Sequence, residues 1–210
     1  MNRENILHKI RTALGRSAAQ APAPAPPVRL RPPEVPLEER LRRFAAALEE
    51  VGGKSACVDS PAAARTRVEE LLNGRRAVAS AVPFLEECGI HTLAGVCKAP
   101  AAAAELKKVC SEVEAGITSA EYALADTGSL VLMAGGGEAR MVSLLPPAHI
   151  ALVRRGRVLT GLDELFTLMP QPAVHSSSMV LVTGPSRTAD IEQILIRGVH
   201  GPGEVYVIVV

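Results

Sequence analysis

A chain of 210 residues carries 23 Lys and Arg against 22 Asp and Glu, with two Tyr, three Phe and no Trp. Such a balance gives no field to draw in a polyanion and few rings for bases to stack on, so nucleic acid is not an expected partner. No apolar run approaches the roughly 20 residues that cross a bilayer, and "MNRENILHKI" lacks the apolar centre of a signal peptide; a soluble, cytoplasmic protein without a membrane partner is expected.

Residues 1–36 stand apart in character. Ile6, Ile10, Ala13 and Leu14 recur at helical spacing, and seven prolines then crowd between Pro22 and Pro36, which favours an extended tether with no fold of its own. The helix docks either on its own domain or on another chain. From residue 37 to 210 helices and strands alternate. "PLEERLRRFAAALEEVGG" places Leu37, Leu41, Phe44 and Leu48 on one face and stops at a glycine pair, the usual helix terminator. "SACVDS" is a short strand, "SPAAARTRVEELLNG" a helix opened by Pro61, and "RAVASAVPF" a buried strand. After "GIHTLAG" a further helix covers residues 101–110. Repeated βα units predict an α/β fold, a mostly parallel twisted sheet with helices on both faces.

Cys57, Cys88, Cys97 and Cys110 form no C-x-x-C pair, and His8, His91, His149, His175 and His200 are equally scattered. Neither a protein metal site nor a bound cofactor is expected. The middle of the chain is richer. In "EYALADTGSLVLMAGGGEARMVSLLPPAHIALV" two strand-like runs flank Asp126-Thr127-Gly128, which suits a hairpin turn. Gly135, Gly136 and Gly137 follow the second run, ahead of Glu138 and Arg140. Three glycines let backbone N–H groups approach a ligand, with Arg140 as a charge for phosphate or carboxylate, or they are simply a hairpin tip. "VRRGRV" reads as a solvated turn.

Standard motifs fail. "GGGEAR" ends in arginine where G-x-G-x-x-G needs glycine, and "GPSRT" ends in threonine where a nucleophile elbow needs glycine. Four other stretches, "ADTGSLVL", "SLLPPAHIALV", "TGPSRTADIE" and "GVHGP" before a final strand, resemble in their order the lactate utilisation protein C family, within the wider LUD domain group. The resemblance implies a fold like that of the sugar-phosphate isomerases and CoA transferases. It also implies a part in oxidising L-lactate to pyruvate beside iron–sulfur partner proteins, this chain being the component without a cluster.

The resemblance names no catalytic residue, so chain direction has to choose. With residues 179–183 as a strand, 188–197 as its crossover helix and 204–210 as the next parallel strand, Thr183, Gly184, Pro185 and Ser186 fall at the carboxyl edge of the sheet, with "GVHGP" and His200 at the other edge. Asp190 and Glu192 then satisfy the helix dipole and disfavour a phosphate on that turn. The triglycine is expected to share that rim. The expected site is therefore Gly135, Gly136, Gly137, Arg140 and Thr183 to Ser186, with Glu138 as acid or base. Two functional classes remain open: a lactate-utilisation component acting through partners, and an enzyme binding a small phosphorylated or acyl anion.

Overall fold

Apolar residues at helical spacing and short β-branched runs build the layers. The protein is described by a computed structural model over residues 2–17, 34–135, 137–189 and 195–210. The first helix, α1 (Arg3–Ala13), is capped by Asn2, whose side chain accepts from the Glu4 N–H. In α2 (Leu37–Glu50), Leu41, Phe44 and Leu48 are buried, each side chain stabilising the fold by about 1.5–3 kcal/mol. Next come β1 (Lys54–Cys57) and α3 (Pro61–Leu72); the latter is opened by Ser60, whose Oγ accepts from Ala63 N at 3.1 Å, and closed by left-handed Asn73. The strand β2 (Ala77–Ala79), the short helix α4 (Pro83–Glu87), β3 (Val96–Lys98), α5 (Ala103–Glu112) and β4 (Ala115–Ser119) follow.

A six-stranded sheet forms the centre, in the order β1-β12-β7-β4-β2-β3, where β7 is Ala148–Val153 and β12 is Glu204–Val209. Every neighbouring pair in it is parallel. Strands covered on both faces must be apolar throughout, and all six residues of β7 are buried. Ala148, Ile150 and Leu152 pack with residues of α3 and α4; Ala151 and Val153 pack with α2. The expected α/β architecture is thus present. Opposite α3 and α4, α5 and α6 (Arg140–Leu144) pack around Val78. Gly116 on β4 admits α6 closely: a Cβ there would lie 1.8 Å from the Val142 carbonyl oxygen.

A second sheet, β8-β5-β6-β9, is built from β5 (Tyr122–Leu124), β6 (Ser129–Met133), β8 (Val158–Leu159) and β9 (Met179–Val182). The expected hairpin around Asp126-Thr127-Gly128 joins β5 and β6. Two short helices, α7 (Leu162–Leu168) and α8 (Pro172–His175), precede β9.

The last third departs from expectation. β9 does not join the parallel sheet; it runs antiparallel to β6, with Leu130 opposite Val182 and Met133 opposite Met179. The crossover helix expected over 188–197 is not what the described residues of that stretch form. The described parts of that stretch are β10 (Arg187–Ala189) and β11 (Leu195–Arg197), an antiparallel pair, while Asp190 and Glu192 lie outside the described residues. With the helix goes the separation it imposed. Ser186 N donates to Pro202 O at 2.8 Å and Gly198 N to Ser186 O at 3.0 Å, so "TGPS" and "GVHGP" are stitched together.

Candidate functional site

Adjacent strands that send their connections in opposite directions leave a crevice at their carboxyl ends. That condition holds between β2 and β4. From β2 the chain passes through α4 to β3 at the sheet edge; from β4 it passes through β5, β6 and α6 to β7 on the other side. Glu138 is held across this gap. Its Oε1 accepts from Ser80 Oγ at 2.5 Å, one residue beyond β2, and its Oε2 accepts from Ser119 N at 3.1 Å, the last residue of β4.

The glycine-rich turn is what delivers the carboxyl there. Gly135 and Glu138 exchange backbone hydrogen bonds of 3.0 and 2.9 Å, closing the turn on itself. Gly137, at φ +97, gives its carbonyl to Ala81 N at 3.1 Å, and a Cβ on it would sit 2.2 Å from Ala81 O. Only glycine allows that approach. The amides of Gly135 and Glu138 are thus already used, and the turn serves to aim Glu138 rather than to cradle a ligand with those two groups.

Glu138 is half-buried and both its hydrogen-bond donors are neutral. Burial pushes its carboxyl up to about 7, against the lesser opposing pull of the Ser80 and Ser119 hydrogen bonds. A carboxyl titrating near neutrality can give and take a proton at working pH. It faces a cleft of about 510 Å³, a size suited to a small organic ligand. Val82, Pro83, Phe84 and Met133 supply apolar wall. Arg154 and Arg157, both in the stretch that follows β7, supply charge. Arg154 pairs with Glu87 and lies 4.1 Å over the Phe84 ring; Arg157 pairs with Glu121 at 3.3 Å and donates to Tyr122 Oη at 2.7 Å. Exposed His175 completes the rim.

The structure divides the expected site. Gly135 and Glu138 line the cleft; Gly137 stands behind it against Ala81; Gly136 lies outside the described residues. Arg140, exposed at the first position of α6, is not among the cleft-lining residues. Thr183, Gly184, Pro185 and Ser186 are at the far end of β9, because antiparallel pairing sets the start of β9 beside the end of β6. The common rim expected for the two glycine turns does not exist. Thr183 Oγ1 instead meets Ser129 Oγ at 2.7 Å, and Ser129 Oγ meets Thr127 Oγ1 at 2.8 Å. Gly184 packs on Val51 at the end of α2.

Ser80, Ser119, Glu121, Arg154 and Arg157 were not singled out as site residues from sequence. Ser80, Ser119, Glu121 and Arg154 lie at or just after a short apolar strand, which is the signal that marks a carboxyl-edge residue in a parallel sheet, while Arg157 directly precedes β8 and carries no such signal. His149, wholly buried on β7, holds Thr118 Oγ1 at 2.8 Å; burial pushes its imidazole down to about 4, so it is neutral at pH 7. Among the described residues no group of three His, Cys, Asp or Glu is placed to hold a metal ion, and none of the helices is long and apolar enough to cross a membrane.

A family model described as the LUD domain matches residues 41–210. The chain belongs to the LUD domain family. It is 36% identical over 101 residues to "Lactate utilization protein C" of Halalkalibacterium halodurans, covering 46% of this chain and 44% of that one. It is 37% identical over 111 residues to the protein of the same name in Macrococcus caseolyticus, covering 51% and 48%. The matches thus span about half the length of these curated relatives or less. "Uncharacterized protein YkgG" of Escherichia coli is 34% identical over 158 residues, 70% of this chain and 68% of that one. In fold, this LUD domain is similar to the crystal structure of a DUF162 family protein from Deinococcus radiodurans, with a TM-score of 0.63 and 20% identity over 84% of this chain and 99% of that one.

Proposed function

We propose that this LUD domain protein serves L-lactate utilisation, as a component without a cluster of its own that acts beside iron–sulfur proteins in the oxidation of L-lactate to pyruvate. Several relatives bear the name lactate utilization protein C. The single observation that carries the site is a carboxyl with neutral partners, Glu138 between Ser80 and Ser119, facing a cleft that also holds Arg154 and Arg157. A second reading rests on the same cleft: the chain itself binds a small acyl or phosphorylated anion, the arginines attracting its charge and Glu138 moving a proton at the reacting end.

The test is growth on L-lactate as sole carbon source in a strain lacking the chromosomal copy. Wild type restores growth; Glu138→Gln, accumulating to the same level, does not. Full restoration by Glu138→Gln removes the carboxyl from the function. The partner half is tested by affinity purification from lactate-grown cells: iron–sulfur proteins recovered with the full chain support it, and their absence under conditions where growth depends on this chain counts against it.

A further inference from the structure

The two arginines of the cleft are held in different ways. Arg154 gives both terminal nitrogens to the carboxylate of Glu87 on α4, and its guanidinium lies 4.1 Å over the Phe84 ring. One edge and one face of it are thus occupied. Arg157 uses a single nitrogen, Nη1, which donates to Tyr122 Oη at 2.7 Å and lies 3.3 Å from Glu121 Oε1. Its other edge is formed by Nε and Nη2, and two parallel N–H groups on one edge match the two oxygens of a carboxylate. Glu121 and Tyr122, at the start of β5, hold the group that carries this edge into the cleft lining.

Charge in the cleft is closely balanced. Arg154 is matched by Glu87 and Arg157 by Glu121, and among the described residues these two are the only Lys or Arg that line it. The other charged or titratable groups around Glu138 are His175 on the rim, Arg140 two residues along its own chain, and His91 behind β2, whose Nε2 meets Ser80 O at 3.0 Å. An ionised Glu138 would set a like charge against any bound anion, and a dianion would double that repulsion. Protonated, Glu138 brings an O–H instead. The remaining wall, from Val82, Pro83, Phe84 and Met133, is apolar, which suits a hydrocarbon stem and not a bare inorganic ion.

We propose that the cleft takes a short-chain monocarboxylate, its two oxygens forked on Nε and Nη2 of Arg157, its stem against Phe84 and Met133, and Glu138 holding a proton while the ligand is bound. The proposal rests on the reading in which this chain itself binds an anion, and it narrows that anion to a singly charged acyl group. Binding then takes up a proton in place of a counter-ion.

The test is a ligand-observed proton NMR titration of the full-length chain with butyrate at constant ionic strength, with thermal melts to confirm that each variant is folded. Butyrate is ionised throughout the range used, so any pH dependence belongs to the protein. A carboxyl titrating at about 7 is protonated roughly 30 times more often at about pH 6 than at about pH 8.5. Wild type is therefore expected to bind butyrate at least tenfold more tightly at the lower pH, and Glu138→Gln, whose side chain stays neutral, to bind equally at both. Arg157→Lys keeps the charge and loses the fork, so binding at least tenfold weaker is expected; Arg157→Gln replaces it if it does not fold. Propyl phosphate, with a similar stem and a mostly dianionic head at about pH 7, is expected to bind at least tenfold more weakly than butyrate. A pH dependence that persists in Glu138→Gln, or binding unchanged in Arg157→Lys, overturns the proposal. Equal or tighter binding of propyl phosphate overturns the monocarboxylate but leaves the broader anion reading in place. No binding of either probe at about 50 mM overturns both.

Discussion

The two glycine turns of this LUD domain look alike in sequence and do opposite things. Each follows a strand of the small sheet, "SLVLM" before the triglycine and "MVLV" before Gly184. At the triglycine the backbone closes on itself and leaves an acidic side chain facing a cleft, held by two neutral donors. Around Gly184 to Ser186 the hydrogen bonds run inward instead: Thr183 and Ser129 share one, Ser186 N donates to Pro202 O, Ser186 O accepts from Gly198 N, and Arg187 donates to Val51 O at the end of α2. One turn delivers a titratable group without a counter-ion to a cleft; the other ties three segments of the chain together. A glycine turn marks chemistry only when such a group comes with it.

The largest effect expected from this contrast is on function. Glu138→Gln keeps the shape and both hydrogen bonds, since the Gln carbonyl can accept from Ser119 N and its amide can donate to Ser80 Oγ, but it cannot exchange a proton. Loss of roughly 10²- to 10⁴-fold in the lactate-dependent rate is expected if Glu138 is the acid or base. Ser186→Ala is expected to leave that rate within about twofold, because Ser186 engages the fold through its backbone. Rates measured side by side in extracts of cells grown on another carbon source, with L-lactate added as substrate, check the pair, and equal losses in both would erase the distinction between the turns.

Next in size is a pH effect of opposite sign at one acid, Glu138, and one base, His149. Glu138, raised from 4.5 to about 7, favours the protonated folded state. Its stabilising contribution is complete below pH 4.5 and is lost as pH rises through 7, by up to about 3 kcal/mol. Glu138→Gln should therefore be more stable than wild type at pH 8 to 9 in urea unfolding, and lose that advantage at pH 4.5. A lost rate with gained alkaline stability is the signature of a group held for chemistry at a cost to the fold. His149 works the other way: lowered from 6.5 to about 4, it contributes fully above 6.5 and that contribution is lost as pH falls to 4. His149→Gln, which keeps a polar partner for Thr118, should flatten the acid limb of the same curves.

How far these features could be read from sequence depends on how local their causes are. The helix over Leu37–Glu50 and the helix opened by Pro61 follow from apolar spacing and caps within a few residues. The parallel strands are marked by runs such as "HIALV", buried on both faces. Glu138 could be named as a candidate because the triglycine that positions it is adjacent in sequence. Ser119, Arg154 and Arg157 reach the cleft, and Ser80 reaches the Glu138 carboxyl, from three different strands, and only the strand order brings them together. The misreading of residues 188–197 has a different cause. A strand, a Gly-Pro turn and a mixed stretch containing Thr188, Ile194 and Ile196 fit either a crossover helix or a hairpin, and the choice is made by long-range pairing of β9 with β6 rather than with β12. That one choice moved Thr183 to Ser186 to the opposite end of their sheet.

The smallest expected effect sharpens the comparison at the level of the glycines themselves. Gly137 and Gly184 both have positive φ, +97 and +81, so alanine strains the backbone at either by about 1 kcal/mol. What differs is the obstacle. A Cβ at Gly137 meets the Ala81 carbonyl at 2.2 Å, and moving that backbone breaks the Ala81 N to Gly137 O bond next to Ser80. At Gly184 the nearest atom is a Val51 methyl at 2.7 Å, with the Val51 carbonyl at 3.2 Å, and the methyl can turn away. Gly137→Ala should thus cost about 2–3 kcal/mol and displace Glu138, Gly184→Ala about 1–2 kcal/mol with the cleft intact. Urea midpoints check the first half. The second half is read from the midpoint of the pH-stability curve, which should shift in Gly137→Ala and stay in place in Gly184→Ala, because only the former moves the carboxyl relative to Ser80 and Ser119.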